Sequence, residues 1–545
     1  MSEQLLLGDE AIAQAAIDAG LSGMYAYPGT PSTEIMEYIQ LSSEATQRSI
    51  HREWSSNEKT AFEAALGMSY TGKRAMVAMK HVGLNVASDP FINAAITGVN
   101  GGMIVVSADD PSMHSSQNEQ DSRFYARFAF VPCVEPSDQQ EAYDMVFDAF
   151  ELSEKYNVPV MIRITTRLAH SRSGVRLTKY PMPQKKLKLP SDPVKFVLLP
   201  ALARKKYREL LKTYESVRLD ARISKYNLFT DGKKRETGVI TSGIAYNYLQ
   251  ENISDVKGIY PVLKISAYPF PADLVKEITS RCREVIVLEE GYPFIEESLR
   301  GILDSGIKVL GRMDGTVPRD GELNPVIVAK ALGMPVKHGR SVPELVRMRP
   351  PSFCKGCGHA DMFNALVEAL KTYSPGRVFS DIGCYTLGAL PPYNAINSCV
   401  DMGASVTMAV GAADAGLIPA VAVIGDSTFT HSGMTGLLDA VNKKSPVTII
   451  ISDNSTTGMT GGQKSQATGR LEHICLGLGV EKEHLRMLIP LRKNHEENIR
   501  IISEELEYKG VSVIISEREC IQTATRKRNP QSEIRNPKSA IRNEK

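Results

Sequence analysis

The sequence predicts an α/β protein built on three doubly wound parallel-sheet domains, and three observations carry that expectation. Short β-rich runs, such as Met103 to Ser107 and Val158 to Ile164, alternate with longer segments of helical periodicity. Val421 to Ile424 and Val447 to Ile451 are continuous apolar runs, the pattern of strands buried on both faces of a parallel sheet. The chain has 545 residues, more than one hydrophobic core fills at about 100–200 residues per domain.

Taken in order, residues 1–176 read as βαβ units, with one helix from Asn57 to Tyr70 where Ala, Phe and Leu recur at helical spacing. Residues 177–235 turn to Lys and Pro. Pro181, Pro183, Pro190, Pro193 and Pro200 exclude long regular elements until Ala201, giving a linker with a helical arm. Residues 236–341 form a second, smaller α/β pattern: a strand at Gly238 to Thr241, a helix from Ala245, and strands at Val262 to Ile265 and Val285 to Leu288. It ends in Glu289-Glu290-Gly291 and holds no obvious chemistry. A Pro- and Arg-rich link, Val342 to Pro351, opens the third α/β region, 342–525. In residues 526–545, Arg528-Asn-Pro-Gln-Ser-Glu-Ile is repeated nearly unchanged from Arg535. Pro530 and Pro537 argue against a coiled coil, so a disordered tail is expected.

Composition narrows the function. Hydrophobic residues make up 42% and charged residues 23%, ordinary for a globular enzyme, and a formal charge of +2 gives no electrostatic case for nucleic acid or an anionic membrane. No stretch reaches the roughly 18 apolar residues of a membrane span, and Met-Ser-Glu-Gln-Leu lacks a signal-peptide pattern, so a cytoplasmic location is expected. Eight scattered Cys make no disulfide framework, and each is a buried small hydrophobe by default.

The strongest local signal is a pair of strand-end loops, Gly425-Asp426-Ser427 and Ser452-Asp453-Asn454-Ser455-Thr456-Thr457-Gly458. Open α/β sheets bind ligands at the carboxyl ends of their strands. Mg²⁺ takes oxygen ligands octahedrally, usually one or two carboxylates plus phosphate oxygens. Asp426 supplies charge, Asn454 an amide oxygen and the chain near Thr456 a carbonyl, while Gly425 permits close approach to a diphosphate. Two ordinary turns are the bland alternative.

Here the sequence resembles the thiamine-diphosphate signature, Gly-Asp-Ser followed by a distant Asn. Thr460-Gly-Gly-Gln463 is similar to the extension in 2-oxoacid:ferredoxin oxidoreductases. Further stretches resemble the thiamine-diphosphate-binding alpha subunit of the indolepyruvate ferredoxin oxidoreductases: Tyr27-Pro-Gly-Thr-Pro-Ser-Thr33, His114-Ser-Ser-Gln-Asn-Glu-Gln-Asp-Ser-Arg123, Cys354-Lys-Gly-Cys-Gly-His359 and Asp381-Ile-Gly-Cys-Tyr-Thr-Leu-Gly388. The similarity runs from about Leu5 to Cys520. It implies pyrimidine-binding, transketolase C-terminal-like and diphosphate-binding domains in that order.

The resemblance also implies roles. Thiamine chemistry needs a buried glutamate on the cofactor's aminopyrimidine. Asn57-Glu58-Lys-Thr-Ala-Phe-Glu-Ala-Ala-Leu-Gly67 nominates Glu58, with Glu53 next and Glu63 on the helix surface; helix-dipole complementation is the structural alternative. Thr30 falls where the family's Thr meets the substrate carboxylate, and it also reads as a helix N-cap before Pro31. Arg123 or Arg127 would clamp a carboxylate, or form a surface ion pair. Cys354, Gly356, Cys357, Gly358 and His359 would lie near the cofactor, with Gly425, Asp426, Ser427, Asn454, Thr456 and Gly458 around the diphosphate; Asp426, Asn454 and Thr456 would hold the metal. Zinc at Cys354 and Cys357 lacks a second fitting pair.

The activity implied is oxidative decarboxylation of aryl 2-oxoacids to acyl-coenzyme A, with a smaller beta subunit and ferredoxin as partners. Family members carry 4Fe-4S clusters in a ferredoxin-like segment. No short Cys run follows Cys520, so ligands for such clusters are expected to be absent and the gene end truncated. The alternatives are a non-oxidative thiamine-dependent decarboxylase or carboligase, and a non-catalytic subunit.

Overall fold

The computed structural model describes residues 3–192, 194–253, 258–299, 302–303, 306–336, 342–343, 345–346 and 352–528. They fall in two compact units, residues 1–341 and 342–545. Most of the sequence-predicted tail lies outside the described residues, while 526–528 close the helix Ile521–Arg528.

The first unit holds two principal sheets. The larger has seven strands in the order Ala267–Tyr268, Cys133–Val134, Val160–Thr165, Met103–Asp109, Ala75–Lys80, Gly23–Ala26, His51–Trp54. All its neighbours run parallel except Ala267–Tyr268, which pairs antiparallel with Cys133–Val134. Both faces are covered. On the strand Met103–Asp109, Ile104, Val106 and Ala108 join one apolar cluster while Met103 and Val105 join the other, the period of two that a doubly covered strand requires.

The smaller sheet has five strands, Lys308–Leu310, Glu284–Leu288, Thr237–Ser242, Val262–Ile265 and Leu228–Thr230, the last antiparallel. Two features depart from the sequence reading. Leu228–Thr230, assigned to the linker, is an edge strand of this sheet, and Ala267–Tyr268 leaves it to extend the larger one. The rest of the linker is pinned to the first unit's body: Met182 and Lys188 donate backbone hydrogen bonds to Asp18 and Thr71, and the 23-residue helix Pro200–Arg222 buries Leu210, Val217 and Ala221.

The second unit is one six-stranded parallel sheet in the order Ser398–Cys399, Val378–Ser380, Ala420–Gly425, Val447–Asp453, Val511–Glu517, Leu485–Leu488. Ala420, Ala422 and Ile424 pack on one face and Val421 and Val423 on the other. Burying each such large aliphatic side chain stabilises by roughly 1.5–3 kcal/mol, so these central strands hold the loops at their ends in place. No helix among the described residues is long and apolar enough to cross a membrane.

Candidate functional site

In the second unit, strand Ala420–Gly425 delivers Asp426 and its neighbour Val447–Asp453 delivers Asn454, because the two run parallel in register with Gly425 opposite Ser452. Asp426 is 2% exposed, and among the described residues its Oδ2 has no hydrogen-bond partner. Burial, then the charge of nearby Asp453, pushes its carboxyl up to about 7, with Ser465 acting the other way. Two buried carboxyl groups side by side are costly in ionised form unless a proton or a cation joins them, and with the Asn454 amide oxygen the donor set fits a hard divalent ion.

The other loop residues are braced. Thr456 N donates to Asn454 Oδ1 at 3.1 Å, and Ser427 and Thr457 hydroxyls meet at 2.9 Å. Thr456 Oγ1 donates to the Gln463 carbonyl at 2.9 Å, closing the small ladder between Thr456–Thr457 and Gln463–Lys464. His359 lies against the second of these loops, with Nδ1 2.8 Å from Ser452 Oγ and Nε2 3.3 Å from Asn454 Nδ2. Burial pushes its pKa down to about 4, so it is neutral near pH 7 and can accept from the Asn454 amide while donating to Ser452. At Gly425 a Cβ would come within 2.6 Å of the Tyr385 ring, so packing alone already favours a residue without one.

A cavity of about 120 Å³ borders these loops, and its lining includes Cys354, Cys357, Cys384 and Cys520 beside His359 and Asn454. Gly356 turns the chain with φ +81°, and Cys357 is the N-cap of the helix Gly358–Ala369. Burial raises the Cys357 thiol, with the backbone N–H groups of His359 and Ala360 acting the other way. Burial pushes Cys384 up to about 12, and Gln522 Nε2 donates to Cys354 Sγ at 3.3 Å. A Cβ at Gly458 would sit 3.2 Å from Cys384 Sγ, and one at Gly358 would be 3.1 Å from Arg518. Four sulfurs from three separate stretches of sequence thus line one cavity, a convergence that a search for a short Cys run misses.

A single zinc ion is a poor fit. Zn–S bonds of about 2.3 Å draw the sulfurs to about 3.8 Å of one another. Among the described residues the one His/Cys/Asp/Glu group of three with ligand atoms all within 4.8 Å is Asp9, Glu34 and His170, in the first unit.

In the first unit, Glu58 begins the helix Glu58–Tyr70, which is capped reciprocally by Asn57 and Thr60. Its buried face carries Glu58, Ala61, Phe62, Ala65 and Ser69, so helical periodicity turns Glu58 inward. Glu58 is 4% exposed, and a Cβ at Gly83 would lie 2.6 Å from its Cγ. Glu53 and Glu63 are exposed, Glu63 in an ion pair with Lys59. Thr30 is not a helix cap: the Thr30–Pro31 peptide is cis, and the helix is Thr33–Leu41 with Ser32 at the N-cap. The Thr30 carbonyl accepts from Ser115 Oγ at 3.2 Å.

Arg123 also needs correction. It is a carboxylate clamp, but for the protein's own carboxylates: 1% exposed, it donates through Nε to Asp121 at 2.9 Å and pairs through Nη1 with Glu289 at 3.0 Å. Burial pushes Glu289 up to about 7 against the pull of Arg123. Arg127 is exposed and lies over the Phe124 and Phe294 rings at 5.1 Å.

Comparison with known proteins matches two regions of the chain to described families. Residues 14–206 match the family described as "Pyruvate flavodoxin/ferredoxin oxidoreductase, thiamine diP-bdg", and residues 381–481 match "Thiamine pyrophosphate enzyme, C-terminal TPP binding domain". The fold and the site thus define a thiamine-diphosphate-binding oxidoreductase chain. The indolepyruvate oxidoreductase subunit IorA of Methanothermobacter thermautotrophicus is 40% identical over 541 residues, covering 95% of this chain and 86% of that protein. Its counterpart in Archaeoglobus fulgidus is 38% identical, covering 97% and 88%. The chain belongs to this family of IorA subunits. A solved 2-oxoglutarate:ferredoxin oxidoreductase from Magnetococcus marinus shares the fold at 18% identity and TM-score 0.50, covering 61% of this chain and 65% of that one.

Proposed function

We propose that this chain is the thiamine-diphosphate subunit of an enzyme that oxidatively decarboxylates aryl 2-oxoacids of the indolepyruvate type to acyl-coenzyme A, passing electrons towards ferredoxin with a smaller partner subunit. The observation that carries the reading is the buried Asp426 with an unsatisfied oxygen at a parallel strand end, next to Asn454. Thiamine diphosphate, when bound, supplies the carbanion chemistry that releases CO₂ from a 2-oxoacid.

The residues divide the work as follows. Asp426, Asn454 and the Thr456 carbonyl would hold Mg²⁺, and Ser427 and the backbone at Gly425 and Gly458 would receive the diphosphate. Neutral His359 fixes the Asn454 amide. Glu58, with its inward position, would hold the proton at the aminopyrimidine, and Thr30 would meet the substrate. Cys354, Cys357, Cys384 and Cys520 would hold an iron–sulfur cluster, whose chemistry when bound is one-electron transfer. Their spread around one cavity favours a multi-iron cluster over one zinc ion. This pocket favours the oxidative reading over non-oxidative decarboxylation.

The test is anaerobic viologen reduction by the chain with indolepyruvate and coenzyme A, with and without its partner subunit. Dye reduction dependent on both substrates is expected; release of free aldehyde with no dye reduction would sink the oxidative reading. Cys357→Ser should remove the bound iron and visible absorbance contributed by this chain while thiamine diphosphate still binds. Iron content equal to wild type would take the cluster away from this pocket.

A further inference from the structure

Of the two carboxylate clamps expected from sequence, Arg123 is committed to Asp121 and Glu289 and Arg127 is exposed over the Phe124 and Phe294 rings, so the anionic end of a 2-oxoacid calls for another cation. We propose that Lys80 is that group: a substrate-binding residue whose ammonium receives the substrate carboxylate next to Thr30. This inference rests on the thiamine-dependent reading above.

Lys80 is the last residue of the strand Ala75–Lys80, which lies between the parallel strands Gly23–Ala26 and Met103–Asp109. Its side chain thus starts where open α/β sheets bind ligands, at the carboxyl ends of central strands. Two loops converge on it. Its stem lies along the loop after Gly23–Ala26, since a Cβ at Gly29 would be 3.3 Å from Lys80 Cδ. Its Nζ donates to the Ser115 carbonyl at 3.2 Å, and Ser115 Oγ in turn donates to the Thr30 carbonyl. Lys80 is therefore tied through Ser115 to the loop that carries Thr30.

The ammonium has capacity left. Among the described residues its one hydrogen bond goes to a neutral carbonyl, and an ammonium has three N–H donors. Asp110 is near enough to act on it electrostatically, yet that carboxylate is already taken up by Ser115 N at 2.8 Å, Ser116 Oγ at 2.7 Å and Thr166 Oγ1 at 2.7 Å. Glu58 acts on Lys80 as well, which places the cation in the neighbourhood of the carboxylate proposed for proton transfer. Burial lowers the Lys80 pKa, and the same exclusion of water strengthens its attraction for an incoming anion.

The experiment uses the full complex with partner subunit, thiamine diphosphate and Mg²⁺. It measures the KM for indolepyruvate and the inhibition constant of its methyl ester, which keeps the ring and keto group but lacks the charge. Lys80→Met should raise KM about 10–100-fold, the loss of one charged hydrogen bond, with kcat within a few-fold and the ester's inhibition constant unmoved. Lys80→Arg should restore most of the KM. An unchanged KM, an equal loss for acid and ester, or a fall in kcat alone would each overturn the assignment, the last pointing to action on Glu58. A wild-type complex inert towards every 2-oxoacid would instead overturn the reading of function. Calorimetric thiamine diphosphate binding by Lys80→Met checks that the variant is folded.

Discussion

Glu58→Gln should lower kcat by about 10²–10⁴-fold, the usual loss when a positioned proton-transfer group is removed, equivalent to roughly 3–5 kcal/mol of barrier. The substitution keeps the side-chain shape that packs against Gly83, and the reciprocal cap from Asn57 and Thr60 is untouched, so the fold should survive. The measurement is dye reduction with indolepyruvate alongside thermal unfolding. Glu53→Gln and Glu63→Gln, at exposed positions, should turn over near the wild-type rate. Wild-type kcat in Glu58→Gln would remove Glu58 from the chemistry.

Arg163→Met should cost about 3–5 kcal/mol of stability, because it strips the countercharge from buried acids without removing them. Arg163 is fully buried. Its Nε donates to Asp109 at 2.8 Å, its Nη1 to Glu135, and its Nη2 to the Glu290 carbonyl at 3.0 Å. Burial raises the Asp109 pKa even with this partner, whereas Asp121, which burial also works to raise, is held below its ordinary value by Arg123 and Arg163. The network ties the end of the larger sheet of the first unit to the segment after Glu284–Leu288, so local loosening of the Glu289–Glu290 turn should accompany the loss. Denaturant unfolding read alongside hydrogen exchange checks it; an unchanged midpoint would mean that neighbouring acids take up protons at little cost.

The parts of this structure that sequence made legible are those set by local pattern. The apolar runs at Val421 to Ile424 and Val447 to Ile451 could hardly be anything but buried parallel strands, and they lie within Ala420–Gly425 and Val447–Asp453. Glu58 could be singled out because helical spacing places it with Ala61, Phe62 and Ala65. What stayed hidden depends on pairing across long separations. Ala267–Tyr268 and Leu228–Thr230 are strands only because an edge strand is available to them. Arg123 reads as a ligand-binding arginine until Glu289, 166 positions later, is folded against it. Cys384 and Cys520 look like isolated hydrophobes until the sheet brings them to the cavity of Cys354 and Cys357. Lys80, a single lysine at a strand end, has no sequence pattern of its own.

The central claim is that a divalent ion and the cofactor's diphosphate are held at Asp426 and Asn454. Titration of the full chain with thiamine diphosphate by calorimetry, with Mg²⁺ and again with a chelator, tests it most directly. The account predicts a binding heat that requires Mg²⁺ and is lost or greatly weakened in Asp426→Asn. No heat from the wild-type chain, or equal binding by the variant, would contradict it.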